Sequence, residues 1–556
     1  MAPPSRAPVS GTPNPREDIW GDIVHDRVTV ETATAMYELL AGDAVTSAET
    51  PDQIDDALAA QVDFVEAAVA LAATKGPQEK VALALLVEDG KIDEVSERLD
   101  EIIQAAGDGM METLRLKGKL FAPLRPQVAM NAYARLLGLE RDDADALMRL
   151  ASLVNRSGDL AGAEKWYREL LAVPDLGSEL RASALGDLAD MADRSGQHEK
   201  ADAWGDELVR LAGDADSTDA AVEELTRLAD NAWERDDHAR AGRWHALLLG
   251  VYEEVGAPKS MAETFINLGA NAAHLEDLPD AMANYTRALE LYERLDDREG
   301  MADALGRLAS VEVLRENLAE AERLYKRALS HEKKLGDRRA AVETFVFLAE
   351  VARRRDKHGR AEDYLKKAVD LGIELDDPEV TGDAWWKLAR LAEGQEHEGD
   401  AREYDERAFE RFQEAGLQSR AAGAAMKLGA SFMGAGDPDR AATWYEAARR
   451  GFDAAGERLN VAHSLYNLGM VANRKDDIDS AERHFGEAQT IYGELDDQRG
   501  SAKSFTYLGD LAARRGDIDA ARSNWGKALA RWANLGERDG PAAQRLIEAL
   551  NGTAGR

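Results

Sequence analysis

The sequence predicts an all-α solenoid of stacked antiparallel helix pairs, and three periodicities held in one register carry the prediction. Leucine recurs every 40 residues at Leu188, Leu228, Leu268, Leu308, Leu348, Leu388, Leu428, Leu468 and Leu508, each followed by Gly or Ala. Alanine stands thirteen positions after each leucine, at Ala201, Ala241, Ala281, Ala321, Ala361, Ala401, Ala441, Ala481 and Ala521. Between copies, the same interval holds only Gly or Asp, as Gly256, Asp296, Gly336, Asp376, Gly416, Gly456, Asp496 and Gly536. A period of this size marks copies of one supersecondary unit that cannot bury its apolar face alone and must lean on its neighbours.

Taken in order, residues 1–16 carry Pro3, Pro4, Pro8, Pro13 and Pro15 among small polar residues, without the charged-then-apolar order of a signal peptide, and read as a disordered leader. Residues 17–75 are helical in pattern but out of register, and are expected to cap the N-terminal end of the stack. Residues 76–137 read as degenerate copies: a weak helix pair around Gly90, then a fair one at Leu116, Ala129 and Tyr133. Ten good copies are expected over 138–538, beginning with Leu150, Ala163 and Tyr167. Over 539–556, Pro541 opens a short helix carrying Leu546, Ile547 and Leu550, the expected C-terminal cap.

Within the copy from Ala262 to Asp297, Phe265, Leu268, Gly269 and Ala272 fall three and four apart, on one face of a first helix, A. After the polar break Glu276-Asp277, a second stripe at Ala281, Tyr285, Ala288 and Leu289 makes helix B. Two helices approach closely only where a side chain is short, so the repeat alanine and Gly269, Gly429, Gly469 and Gly509 mark the crossing within each pair. The Gly or Asp between copies tolerates left-handed backbone and ends helix B. Trp385 shares a packing position with Phe265, Phe345 and Phe505 and reads as core.

Leu then Gly or Ala, alanine thirteen on, an aromatic four later (Tyr167, Tyr285, Tyr325, Tyr445, Phe485, Trp525) and alanine three further (Ala288, Ala328, Ala448, Ala488, Ala528) together resemble the tetratricopeptide repeat. Two departures are plain: the period is 40 rather than 34, and the proline that often closes helix B is missing. Six extra residues amount to about 1.7 helical turns, which lengthen the helices without adding an element. This long form is similar to the repeats of kinesin light chain, spindle-orientation adaptors and bacterial peptide-pheromone receptors. The resemblance implies a right-handed superhelix whose A helices line a concave groove, with the residue before the repeat leucine pointing into it.

Composition narrows the function classes. A net charge of −36 opposes nonspecific attraction to nucleic acid or anionic lipid and suits solubility of a long exposed surface. Cysteine is absent, which removes disulfides, thiolate metal sites and cysteine nucleophiles. No stretch reaches the length of a membrane span, so a soluble cytoplasmic protein is expected. There is no P-loop and no His-Glu-x-x-His helix, and neither a metal nor a cofactor is expected. The histidines His198, His238, His245, His274, His331, His358, His397, His463 and His484 stand apart and read as surface or turn residues. Acid pairs such as Asp236-Asp237, Asp296-Asp297, Asp376-Asp377 and Asp496-Asp497 lack the spacing of a calcium loop and read as turn chemistry.

The groove position before each leucine reads Arg149, Asp187, Arg227, Asn267, Arg307, Phe347, Lys387, Lys427, Asn467 and Tyr507 from Arg149 onward, half of them basic in an acidic chain. Arg390, and Arg354, Arg474 and Arg514 near the ends of A helices, add to the basic set. These cations either pair with acids on their own helices or offer charge-assisted bonds to a ligand's carboxylates. Asn267 and Asn467 present a donor and an acceptor side by side, matching a peptide unit, and the resemblance implies that they hold an extended peptide. The expected groove is therefore Arg227, Asn267, Asn271, Arg307, Arg354, Lys387, Arg390, Lys427, Asn467 and Arg474. Trp385, Trp386, Tyr466 and Tyr507 are further candidates for apolar pockets.

The expected function is a noncatalytic scaffold or adaptor that binds a polypeptide, an acidic segment, with self-association left open. The alternative is a regulatory receptor for a short signal peptide or small ligand, although residues 17–75 lack the basic recognition helix that a DNA-binding output needs. An enzyme is disfavoured: upstream of the repeats only His25, with Asp22 and Asp26, could be a catalytic group.

Overall fold

The computed structural model describes residues 110–123, 125–537 and 540–552. The leader, the cap over 17–75, the copy around Gly90 and the trio Asp22, His25 and Asp26 lie outside the described residues. Among the described residues there are 23 helices and no strand. Two compact units, residues 1–284 and 285–556, divide the chain.

In the first unit, α1 (Met110–Phe121) packs on α2 (Pro126–Leu139), α3 (Ala144–Arg156) on α4 (Leu160–Leu171), α5 (Ser178–Arg194) on α6 (His198–Ala212) and α7 (Thr218–Glu234) on α8 (His238–Val255), with α9 (Pro258–His274) packed on α8. The unit boundary falls within α10 (Leu278–Leu295). In the second unit the pairs are α11 (Arg298–Leu314) with α12 (Leu318–Leu335), α13 (Arg338–Arg354) with α14 (His358–Glu374), and α15 (Pro378–Gly394) with α16 (Glu398–Glu414). They continue as α17 (Gln418–Gly434) with α18 (Pro438–Ala454), α19 (Arg458–Arg474) with α20 (Ile478–Glu494), and α21 (Gln498–Arg514) with α22 (Ile518–Asn534). The last helix, α23 (Pro541–Gly552), packs on α22. From α9 to α22 every helix has 17 or 18 residues, about 25 Å at 1.5 Å per residue. The extra residues of the long period do go into the helices.

The three periodicities each have a physical counterpart. Between repeats, Gly256, Gly336, Gly416, Gly456 and Gly536, with Asp296, Asp376 and Asp496, all adopt φ between +51° and +75°. A second left-handed position, within the repeat, is one the sequence pattern does not single out as such: Asp236, Glu276, Glu316, Asp356, Glu396 and Asp476 sit at φ +56° to +62° between helices A and B. The acid pairs are turn chemistry, as expected. The first residue of each takes the left-handed turn, and the second caps the next helix: the backbone N–H groups of Arg240, Gly300, Val380 and Gly500 donate to Asp237, Asp297, Asp377 and Asp497 at 3.0–3.1 Å.

The thirteen-on alanines are buried to between 0 and 4% exposure, at the crossing of each pair. The glycine after the leucine faces the helix B aromatic sixteen residues on. A methyl built at Gly429 would meet the Tyr445 ring at 2.6 Å, and one at Gly469 the Phe485 ring at 2.8 Å. Alanine's entropy advantage in a helix is thus given up for close approach. The core is a chain of local clusters, such as Leu114 to Met191 in the first unit and Ala422 to Tyr492 in the second. In α23, Ala543 and Leu546 are fully buried while Ile547 is exposed.

Candidate functional site

Successive A helices lie side by side within each unit, since residues about 40 apart touch directly. In the first unit, the Arg227 guanidinium donates to Asp187 at 3.0 Å and to Glu224 at 2.7 Å. The Tyr167 hydroxyl donates to the other Asp187 oxygen at 2.7 Å, closing a network over α4, α5 and α7. Burial and the Asp187 charge push the Tyr167 hydroxyl far above its usual range. In the second unit, the Asn467 amide on α19 reaches the Met426 sulfur on α17 at 3.3 Å, and Arg420 on α17 donates to Asp383 on α15 at 2.9 Å. These faces form a continuous wall in each unit, built from the A helices.

Most of the expected groove cations are already engaged on that wall. Arg307 is clamped by Asp303, one turn earlier, at 2.9 and 3.0 Å. Arg390 donates to both oxygens of Asp405 at 2.5 and 2.6 Å and to Glu393 at 2.8 Å, and its guanidinium lies 4.6 Å from the Trp386 ring centre. Asp405 itself is buried, and that burial pushes its carboxyl up to about 6 against the pull of Arg390. Lys427 lies 3.7 Å from Glu393. Lys387 is exposed and, among the described residues, forms no hydrogen bond or ion pair, although its charge is felt at Glu350 and Asp383. Asn267 is exposed.

The arginines at the ends of the A helices do a different job from lining a groove. Arg354 reaches the Val313 carbonyl at 3.5 Å and Glu316 at 2.5 Å. Arg474 reaches the Met433 carbonyl at 2.6 Å, and Arg514 the Asn473 side chain at 2.7 Å and Asp476. Arg354 and Arg474 each add a cation and a second bond at the carbonyl end of the preceding A helix, where positive charge is favoured, and Arg514 binds side chains at the corresponding end. Asn271 is also elsewhere than on an open wall: it is 2% exposed, with its side-chain nitrogen 3.2 Å from Nδ1 of His245. Trp385 is core, stacked 5.4 Å from Tyr404, and Trp386, Tyr466 and Tyr507 are half-buried.

One histidine, His245, departs from the surface reading. His245 is buried, its Nδ1 2.8 Å from the Ala241 carbonyl, and burial lowers its pKa. His238 and His274 pack against each other and against Trp233 with ring centres 4.4 to 4.9 Å apart. Sequence reasoning also misses Asp193, whose buried carboxylate accepts from the Trp244 indole at 3.0 Å and lies 2.8 Å from Arg240. Its one nearby partner, His198 at 3.2 Å, is an exposed residue, and the two that bury it are 47 and 51 positions away. Among the described residues, no group of three His, Cys, Asp or Glu is placed to hold a metal, and no helix is long and apolar enough to cross a membrane.

Comparison with known proteins agrees with the helix pairs. Two family models of the tetratricopeptide repeat match, one at residues 260–334, 300–374 and 420–494 and the other at 124–179, so the chain carries tetratricopeptide repeats over these segments. No curated protein matches the chain. Among solved structures, BtubC from P. vanneervenii is similar at 22% identity over 39% of this chain and 92% of its own, with a TM-score of 0.34. A signal-transduction ATPase with numerous domains and a tetratricopeptide-repeat sensor, from Pyrococcus horikoshii, is similar at 14% identity over 95% of this chain and 75% of its own, TM-score 0.42. A Rap protein complexed with Competence and Sporulation Factor is similar at 15% identity over 67% of this chain and 98% of its own, TM-score 0.33.

Proposed function

We propose that this tetratricopeptide-repeat array is a noncatalytic cytoplasmic scaffold that binds a polypeptide segment along the wall of its A helices. One observation carries the reading: the A-helix wall of each unit bears an exposed side chain with binding capacity left over, Asn267 in the first and Lys387 in the second, beside arginines that are already paired. Lys387, with Lys427 one repeat on, favours carboxylates, so the segment is acidic near these two residues.

Arg390 belongs to the frame rather than to the ligand surface. Reversing its charge would set a glutamate against the buried Asp405, so it is a poor probe of binding. The informative variant is Lys387→Glu with Lys427→Glu. A partner segment is first defined by cross-linking and peptide mapping on the wild-type chain, and its affinity is then measured by titration calorimetry. Each lost charge-assisted bond is worth about 1.5–3 kcal/mol, so the double variant should bind at least about a hundredfold more weakly, and wild-type binding should weaken with added salt. Unchanged affinity in the double variant, with loss in Arg450→Glu on the helix B surface, overturns the proposal. A regulatory receptor for a short signal peptide is the second reading, favoured by a cleft between α11, α12 and α13.

A further inference from the structure

That cleft, of about 350 Å³, opens on the A-helix wall of the second unit. Its charges are one-sided. Glu299, Asp303, Glu332, Asp337 and Glu343 face a single guanidinium, Arg307, which Asp303 already neutralises. Gly306 leaves its lining open, with nothing within 4 Å of where a side chain would begin. One side is an aromatic stack: Phe347, 47% exposed, lies nearly parallel to Tyr325 at 5.4 Å, and the Tyr325 hydroxyl is fixed by Ser310 at 2.8 Å.

Glu332 on α12 gives the acid cluster a direction. It is 5% exposed, its Oε1 accepts from the Thr344 hydroxyl at 2.7 Å, and its Oε2 is buried with no hydrogen-bond partner. Burial holds this carboxyl above the usual range despite the Thr344 bond. A buried acceptor left unmatched carries a cost that a ligand donor would remove. An aromatic face beside it suits a cation, whose charge the ring attracts.

We propose that this cleft is a specific subsite for a basic side chain of the bound polypeptide, with its guanidinium or ammonium donating to Glu332 Oε2 and lying against the exposed face of Phe347. Charge complementarity selects this occupant over an acidic or neutral one. The proposal rests on the A-helix wall being the binding surface. It adds a requirement for a cation, one repeat before the position of Lys387.

N-acetyl-argininamide, its neutral isostere N-acetyl-citrullinamide and N-acetyl-aspartamide serve as probes, titrated into the full chain and read by NMR and calorimetry. The arginine probe should bind at least about tenfold tighter than the citrulline probe, the factor given by one charge-assisted hydrogen bond, and the aspartate probe should not saturate. Glu332→Gln should remove the preference for arginine. Phe347→Ala, at an exposed position, should weaken arginine about two- to fivefold and keeps the test decisive if Glu332→Gln does not fold. Equal affinity for arginine and citrulline, or an arginine preference that survives both substitutions, overturns the subsite. If the arginine probe fails while the acidic segment still binds through Lys387 and Lys427, the cleft inference falls and the scaffold reading stands. If the arginine probe binds while no polypeptide segment does, the cleft's preference for a cation stands, and its assignment to a bound polypeptide falls with the scaffold reading.

Discussion

Gly469 and Gly486 give two alanine substitutions of opposite expected sign, both in the interior of helices of the same repeat. Alanine is favoured over glycine in a helix by about 0.5–1 kcal/mol, a gain that both substitutions share. At Gly469 the new methyl would sit 2.8 Å from Cδ1 and Cε1 of Phe485, whereas ordinary contact begins at 3.4 Å. The ring cannot easily yield: Phe485 is fully buried, stacked on Tyr507 at 4.9 Å and met edge-on by Tyr466 at 5.4 Å. Relieving the clash therefore moves α19 from α20, and overpacking of this kind costs about 1–3 kcal/mol. Gly486, next in sequence to Phe485, has nothing within 4 Å. The difference between the variants is the overpacking cost alone, so Gly486→Ala should be stabilised and Gly469→Ala should fall about 1–3 kcal/mol below it. Because solenoids can unfold piecewise, the assay is amide exchange over residues 458–494 alongside denaturant melting. Equal protection in the two variants would refute the assigned crossing.

Other expectations follow from the caps and buried charges. Asp497→Ala removes the acceptor for the Arg499 and Gly500 N–H groups, both at 3.0 Å, and should cost about 1 kcal/mol, read as faster exchange in the first turn of α21. Asp193→Ala removes the acceptor of the buried Trp244 indole and one of the two carboxylates at Arg240, which keeps Asp202 at 2.9 Å, and should cost about 1–3 kcal/mol in denaturant melting, with Asp193→Asn milder; a loss below about 1 kcal/mol would mean the indole is not buried on Asp193 as described. Asp405 is pushed up to about 6 when folded, while an unfolded Asp titrates near 4, so the folded state takes up its proton first. Its contribution is full below about pH 4 and lost as pH rises through about 6, so the wild type should gain on Asp405→Asn between pH 7 and pH 4.5; a constant difference would contradict this.

Much of the architecture was legible because periodic sequence makes each error visible against its other copies. The register of Leu, Ala and Gly or Asp located the helix crossings and the turns between repeats, since alanine at a crossing and a left-handed residue at a turn each answer a local steric demand. Glu276 and its counterparts were recognisable as polar breaks, but their left-handed backbone was hidden because acids adopt it less often than glycine does. The groove was less legible. Its cations were identifiable by position, yet whether Arg307 faces Asp303 or solvent, and whether Arg354 serves a ligand or Val313, depends on where neighbouring helices put their acids and carbonyls. The Glu332 cleft draws on three helices at once, and Asp193 on partners three helices away, so no single-helix pattern announces either.

The arginines that close the preceding helix end make the array finish itself in one direction. The Val313 and Met433 carbonyls already accept from the Glu316 and Gly436 N–H groups at 3.2 and 3.3 Å, and as the chain leaves the ribosome the second donors, Arg354 and Arg474, arrive only after roughly forty residues of further synthesis. Until then each helix terminus has the bonds of its own turn but lacks the neighbouring cation. A cut on the C-terminal side of a repeat therefore strips the survivor of the cation at its helix end, whereas a cut on the N-terminal side leaves a solvated guanidinium, which water tolerates well. Within the second unit, truncations should be asymmetric: removing α19 and everything after it loosens α17 more than removing everything before α17 loosens α19. Nascent chains halted in mid-array should fray from their newest end.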